Sequence, residues 1–170
     1  WFAGGAMNYY YFGHFLVAGL IRVSGVAPAL AYNLAVPLFF ALTVGAAFSL
    51  GYNLAEGARL GLTGEARSRV PAWSPLVAAL AAVLFVAVLG NLDGGVQLVQ
   101  GAWDRLVHGV SFPDFDYWRS SRMMPPDPPG HEITEFPFFT FLFADLHAHM
   151  MALPFTLLAL GLALSVVIGA

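Results

Sequence analysis

Two histidines and a carboxylate stand within five residues in DLHAH, residues 145–149. Asp145 and His149 are spaced i, i+4. A helix would put them on one face with His147 pointing elsewhere, whereas an extended segment would bring all three to one side. Asp and His are good ligands for a divalent ion, and a carboxylate beside an imidazole orients the ring for proton transfer. Asp145, His147 and His149 are therefore candidate catalytic residues. Asp145 and His149 are also candidate ligands for a divalent metal ion, Mg or Mn. The plain structural alternative is a hydrogen-bonded cap where the chain enters a membrane, with Asp145 favoured near a helix start.

Three other stretches carry groups able to recognise a substrate. DYWRSSR (116–122) sets Arg119 and Arg122 three apart behind two aromatics. Arginine forms bidentate contacts with phosphate, and Tyr or Trp stacks on a sugar or an isoprenoid; an interfacial belt of Trp, Tyr and Arg is the other reading. EITEF (132–136) offers Glu132 and Glu135, which could bind substrate or simply balance the arginines. NYYYFGHF (8–15) opens an apolar segment with Tyr9, Tyr10, Tyr11 and His14. An aromatic belt accounts for some of these tyrosines, but three consecutive ones point around most of a helix, so some must face protein. The substrate-binding candidates are Tyr9, Tyr10, Tyr11, His14, Arg119, Arg122 and Glu135.

The elements that must position these groups are membrane helices. The chain of 170 residues is 59% hydrophobic and 10% charged, where soluble domains carry about a quarter charged residues. Residues 28–55, 74–92 and 149–170 are apolar runs that each meet the ~20-residue requirement for a helix across ~30 Å of hydrocarbon. Residues 9–23 are short for a span, contain Gly13, His14 and Gly19, end near Arg22 and are broken by SGVAP; they predict a juxtamembrane helix. The fold class expected is all-α: about three transmembrane helices with juxtamembrane and interfacial helices and a long outer loop.

Arginine placement orients the chain. All seven basic residues are arginines, and Arg59, Arg67 and Arg69 lie in the short loop 56–73, which the positive-inside rule puts in the cytoplasm. Residues 93–148 then form an extracytoplasmic segment that shares a membrane face with the tyrosine run. Within it, 94–110 has helical apolar spacing and predicts an interfacial helix. Prolines 113, 125, 126, 128 and 129 forbid a continuous helix after it, and Thr134 is the expected N-cap of the next, with Pro137 in its first turn. The net charge of −3 with no basic stripe gives no sign of nucleic-acid binding. The absence of cysteine excludes disulfides, thiolate metal sites and cysteine nucleophiles within the chain. A start at Trp1 and an end in an apolar run lead us to expect an internal fragment, with targeting information and further catalytic groups upstream.

Taken together, WFAGGAMNYYYFGH, AYNLAVPLFFAL, GNLDG, DYWRSSR and EFPFFTFLFADLHAHMMALPF resemble an uncharacterised integral membrane family named for its YYY motif (Chlor_Arch_YYY), grouped by similarity with the GT-C glycosyltransferase superfamily. The resemblance covers nearly the whole chain. It implies a GT-C-like fold in a multi-pass protein of the plasma membrane, transferring a sugar from a polyprenyl-phosphate carrier at the outer face. The lipid bilayer and a polyprenyl-phosphate-linked sugar are the implied partners. The acidic catalytic motif of GT-C enzymes would lie upstream of Trp1. Two other readings follow from the residues: a transporter-like module with a proton-relaying Asp and His, and a metal-dependent membrane hydrolase built on DLHAH.

Overall fold

A computed structural model describes residues 4–5, 10–90, 92–116, 118–122 and 134–169, without the side chains of 168 and 169. Among them every regular element is a helix and there is no strand. The first helix, α1 (Phe12–Ser24), starts later than the 9–23 expected and ends on Gly25, whose φ of 69° lies in the left-handed region open to glycine. Two residues later Pro28 occupies the first turn of α2 (Pro28–Gly61), where its missing N–H costs no hydrogen bond. The break at 25–27 folds α1 back along α2.

Helix α2 is 34 residues long and runs past Ala55, the expected limit of the span, so that Glu56 and Arg59 fall on its last turns and pair at 2.6 Å. A short helix α3 (Gly64–Arg69) follows, then α4 (Ser74–Val83), which widens into a π-helical turn over Leu84–Val88. Helix α4 returns alongside α2, with Gly51 seated against Ala78, Ala79 and Ala82. Small residues at such a contact let two helices approach closely where apolar burial alone gives no advantage over lipid.

Here the structure departs from the expected span 74–92. Helix and π turn together cover Ser74–Val88, about 22 Å at ~1.5 Å per residue, short of a ~30 Å crossing. The chain then bends by 87° into α5 (Asp93–Trp103), which ends in a second π-helical turn, Asp104–His108. Gly90 lies at this bend: a Cβ there would come within 2.0 Å of the Phe136 ring, so the close approach of Phe136 needs a residue without a side chain. Helices α2 and α7 (Ala148–Gly169) are long and apolar enough to cross a membrane, and the bent pair is a third candidate if it acts as one span.

Between α5 and α7 the chain forms a 3-10 turn, Arg119–Ser121, and helix α6 (Pro137–Phe143). Phe136, rather than Thr134, is the N-cap position of α6; the Thr134 N–H instead donates to the Ser121 carbonyl at 2.8 Å. That bond brings together the two sides of residues 123–133. The core joins α1, α2, α6 and α7 through Val17, Phe39, Phe141, Leu146, Met150 and Met151. It lies directly beneath DLHAH.

Candidate functional site

Helix α6 ends at Ala144, a non-glycine residue at φ 61° and ψ 35°. This left-handed turn redirects the chain into the non-helical residues 145–147, and α7 begins at Ala148. DLHAH is thus neither of the two geometries considered from sequence: a tight turn, in which the His147 N–H donates to the Asp145 carbonyl at 2.8 Å, leads into the first helical turn of α7. The His147 carbonyl still accepts the Met151 N–H at 3.1 Å.

Glu135 comes in from the segment before α6 and meets both histidines. Its Oε1 lies 3.5 Å from His147 Nε2 and its Oε2 lies 3.3 Å from His149 Nε2. On the other side of His147, Nδ1 faces Asp145 Oδ2 at 3.4 Å. The two rings lie 5.7 Å apart between centroids. Glu135 Oε2 is shut away from water and accepts no hydrogen bond among the described residues. A buried carboxylate oxygen without a bond is costly, and the groups nearest to this carboxylate are the two imidazoles.

Two groups of this cluster were not singled out from the sequence. The Tyr32 hydroxyl, on the first turns of α2, donates to Asp145 Oδ1 at 2.5 Å and accepts the Leu146 N–H at 3.2 Å. It ties the start of α2 to the start of α7, so both helices run the same way from one end. Thr140 of α6 lies 2.8 Å from His149 Nε2 through its Oγ1, which also reaches the Phe136 carbonyl at 3.2 Å. Nothing local marks either residue. A tyrosine just inside a span, in AYNLA, was the one available signal: its hydroxyl needs a partner there.

The remaining candidates are placed around this cluster rather than in its ion pairs. Arg119 pairs with buried Asp93 at 2.9 Å, at the first turn of α5. Arg122 lies over the Trp118 ring, 5.2 Å from its centroid, and donates to Ser121. Trp118 packs edge-on against Phe139 and Phe143, so the arginine segment docks on the same short helix that follows Glu135. Tyr10 and Tyr11 are exposed, and His14 is half-buried on α1. Tyr10 lines an apolar groove of about 720 Å³ with Gly13, Leu16, Ala148, Met151 and Phe155, which opens beside the histidines at Ala148. Tyr9 and Glu132 lie outside the described residues.

Among the described residues, no group of three or more His, Asp or Glu side chains is arranged to hold a metal ion. Asp145 faces Tyr32 and His147, while His149 faces Thr140 and Glu135. The described residues alone therefore do not assemble the expected divalent site on Asp145 and His149.

The family model described as "Uncharacterized membrane protein (DUF2298)" matches residues 1–169. The chain belongs to this family. Neither the curated proteins nor the solved structures give a match. DUF2298 membership agrees with the apolar helices: the chain is an integral membrane protein in contact with lipid. The family's description assigns no reaction, so the chemistry has to be argued from the cluster.

Proposed function

We propose that this chain is part of a GT-C-like glycosyltransferase of the plasma membrane, moving a sugar from a polyprenyl-phosphate carrier to a hydroxyl acceptor at the outer face. The observation that carries the reading is the cluster of Glu135, Asp145, His147 and His149 at the end of the helices where α2 and α7 begin. Acid–imidazole pairs of this kind take up and release protons at neutral pH, and glycosyl transfer to a hydroxyl requires a proton to leave the acceptor. Arg119, Arg122 and the tyrosines on the same side supply groups for a phosphate and a prenyl chain. The sequence resemblance supports the choice of sugar transfer over other acid–base chemistry.

The test is transfer of radiolabelled sugar from a polyprenyl-phosphate donor by the native full-length protein in membranes. Asp145→Asn and His149→Ala are expected to abolish transfer while membrane insertion stays normal. Full transfer in both variants would sink the proposal.

A further inference from the structure

We propose that His149 is the proton-accepting base of this site, with Nδ1 as the basic atom, and that Thr140 is the positioning residue that sets its tautomer. The sugar-transfer reading supplies only the identity of the proton donor, an acceptor hydroxyl.

Two observations converge on one tautomer. We assign the single hydroxyl proton of Thr140 to the Phe136 carbonyl, an acceptor only, 3.2 Å from Oγ1. Lone pairs then remain to face His149 Nε2, which lies 2.8 Å away. With that assignment, a hydrogen bond at this distance puts a proton on Nε2. Independently, Glu135 Oε2 lies 3.3 Å from the same nitrogen, buried and without a hydrogen bond of its own. A carboxylate against a bare nitrogen lone pair is repelled; against an N–H it is attracted. A neutral imidazole protonated at Nε2 keeps its lone pair at Nδ1.

The neighbouring ring is held differently. Both nitrogens of His147 face carboxylates, Asp145 at 3.4 Å and Glu135 at 3.5 Å. His149 has one carboxylate and one hydroxyl, both on the same nitrogen. Two histidines separated by one residue thus meet different partners. The His149 side chain is also the more open of the two, 43% exposed against 28%. The charged or titratable groups closest to it are Glu135 and His147, with Asp145 and Tyr32 behind.

In the step, the acceptor O–H proton passes to His149 Nδ1. The oxygen electron pair forms the bond to the anomeric carbon. The anomeric carbon–oxygen bond to phosphate breaks, and its electron pair leaves on the polyprenyl phosphate. The imidazolium formed sits beside Glu135, in the way a third group supports the base of a nucleophile–base pair.

Nitrogen-15 NMR of histidine-labelled native protein in lipid reads the tautomer directly, with His149→Gln used to assign the signal. The expected result is a protonated Nε2 and a bare Nδ1. Thr140→Ser should keep this tautomer and transfer within about twofold. Thr140→Val should lose the fixed tautomer and transfer more slowly, and Thr140→Ala gives the same readout should the valine variant misfold. His149→Gln should lower the transfer rate by ~10²-fold or more, the usual contribution of a general base. A protonated Nδ1 in the wild type, an unchanged tautomer in both Thr140→Val and Thr140→Ala, or full transfer by His149→Gln would each overturn the assignment. A wild-type protein with the Nε2–H tautomer but no transfer would instead overturn the sugar-transfer reading and leave the tautomer standing.

Discussion

A carboxylate oxygen closed off from water, 3.3 Å from one imidazole, has to be balanced by its surroundings, and here the balance is divided among four side chains. Glu135 faces both histidines, Asp145 takes the far side of His147, and Tyr32 holds Asp145 in place. Tyr32 is the member whose removal is cleanest, since Tyr32→Phe keeps the ring and deletes only the hydroxyl. That hydroxyl makes one bond to a carboxylate and one to a backbone N–H. Hydrogen bonds to charged groups contribute ~1.5–3 kcal/mol, and Asp145 is half exposed, so a loss of about 1–2 kcal/mol is expected on thermal unfolding in detergent. Transfer activity should fall further than stability, because freeing Asp145 and the Leu146 N–H unpins the segment carrying both histidines. Unchanged transfer in a correctly inserted Tyr32→Phe protein would show that the clamp has no part in the site.

At the scale of elements, the turn at Ala144 decides whether Asp145 and the histidines face Glu135 at all. Its left-handed conformation costs an L-residue ~1–2 kcal/mol, and a β-branched side chain tolerates it least. Ala144→Gly should therefore be neutral to slightly stabilising, whereas Ala144→Val should cost about 1–2 kcal/mol and reduce transfer; equal melting midpoints for the two variants would contradict the turn. This element also shows what could be read ahead of the structure. The helical runs expected over 28–55 and 149–170 were legible because an uncharged apolar run of that length has few alternatives in lipid; the charged last turns of α2, with Glu56 and Arg59, were not. The break before Pro28 was legible from Gly25 and Pro28. Proximity of Glu135, Asp145 and the histidines followed only loosely from clustering in sequence. Thr140 and Tyr32 were not legible as members, because their roles arise from a positive-φ turn at an alanine and from a contact between residues 32 and 145. The 87° bend was hidden for a similar reason: apolar residues run across 84–89 without a break, and the packing of Phe136 against Gly90 at the bend joins residues far apart in sequence.

Across the whole molecule, charge is segregated along the helices. Glu56, Arg59, Glu65, Arg67 and Arg69 occupy the far end of α2 and the short helix after it, while the acid–histidine cluster occupies the near end. Tyr32 and Arg59 are separated by about 40 Å of helix at ~1.5 Å per residue, enough to put the two groups on opposite sides of a ~30 Å hydrocarbon layer. The segment carrying Asp114 belongs to the cluster's end, because the Asp116 N–H and carbonyl both bond Gln97, Arg119 reaches Asp93, and Trp118 packs on α6. With three arginines at the far end, the positive-inside rule predicts that end in the cytoplasm and the cluster outside. Single cysteines at Asp114 and Glu65, in a stretch of 170 residues free of cysteine and with any cysteines elsewhere in the full-length protein replaced by serine, test this with a membrane-impermeant thiol reagent. Position 114 should label in intact cells and position 65 only after permeabilisation. The reverse pattern would turn the molecule over and move the histidine site to the cytoplasmic face, where a polyprenyl-linked donor presented from outside could not reach it. Labelling of both positions in intact cells would mean that α2 does not separate two compartments, and the orientation argued from its arginines would fall with it.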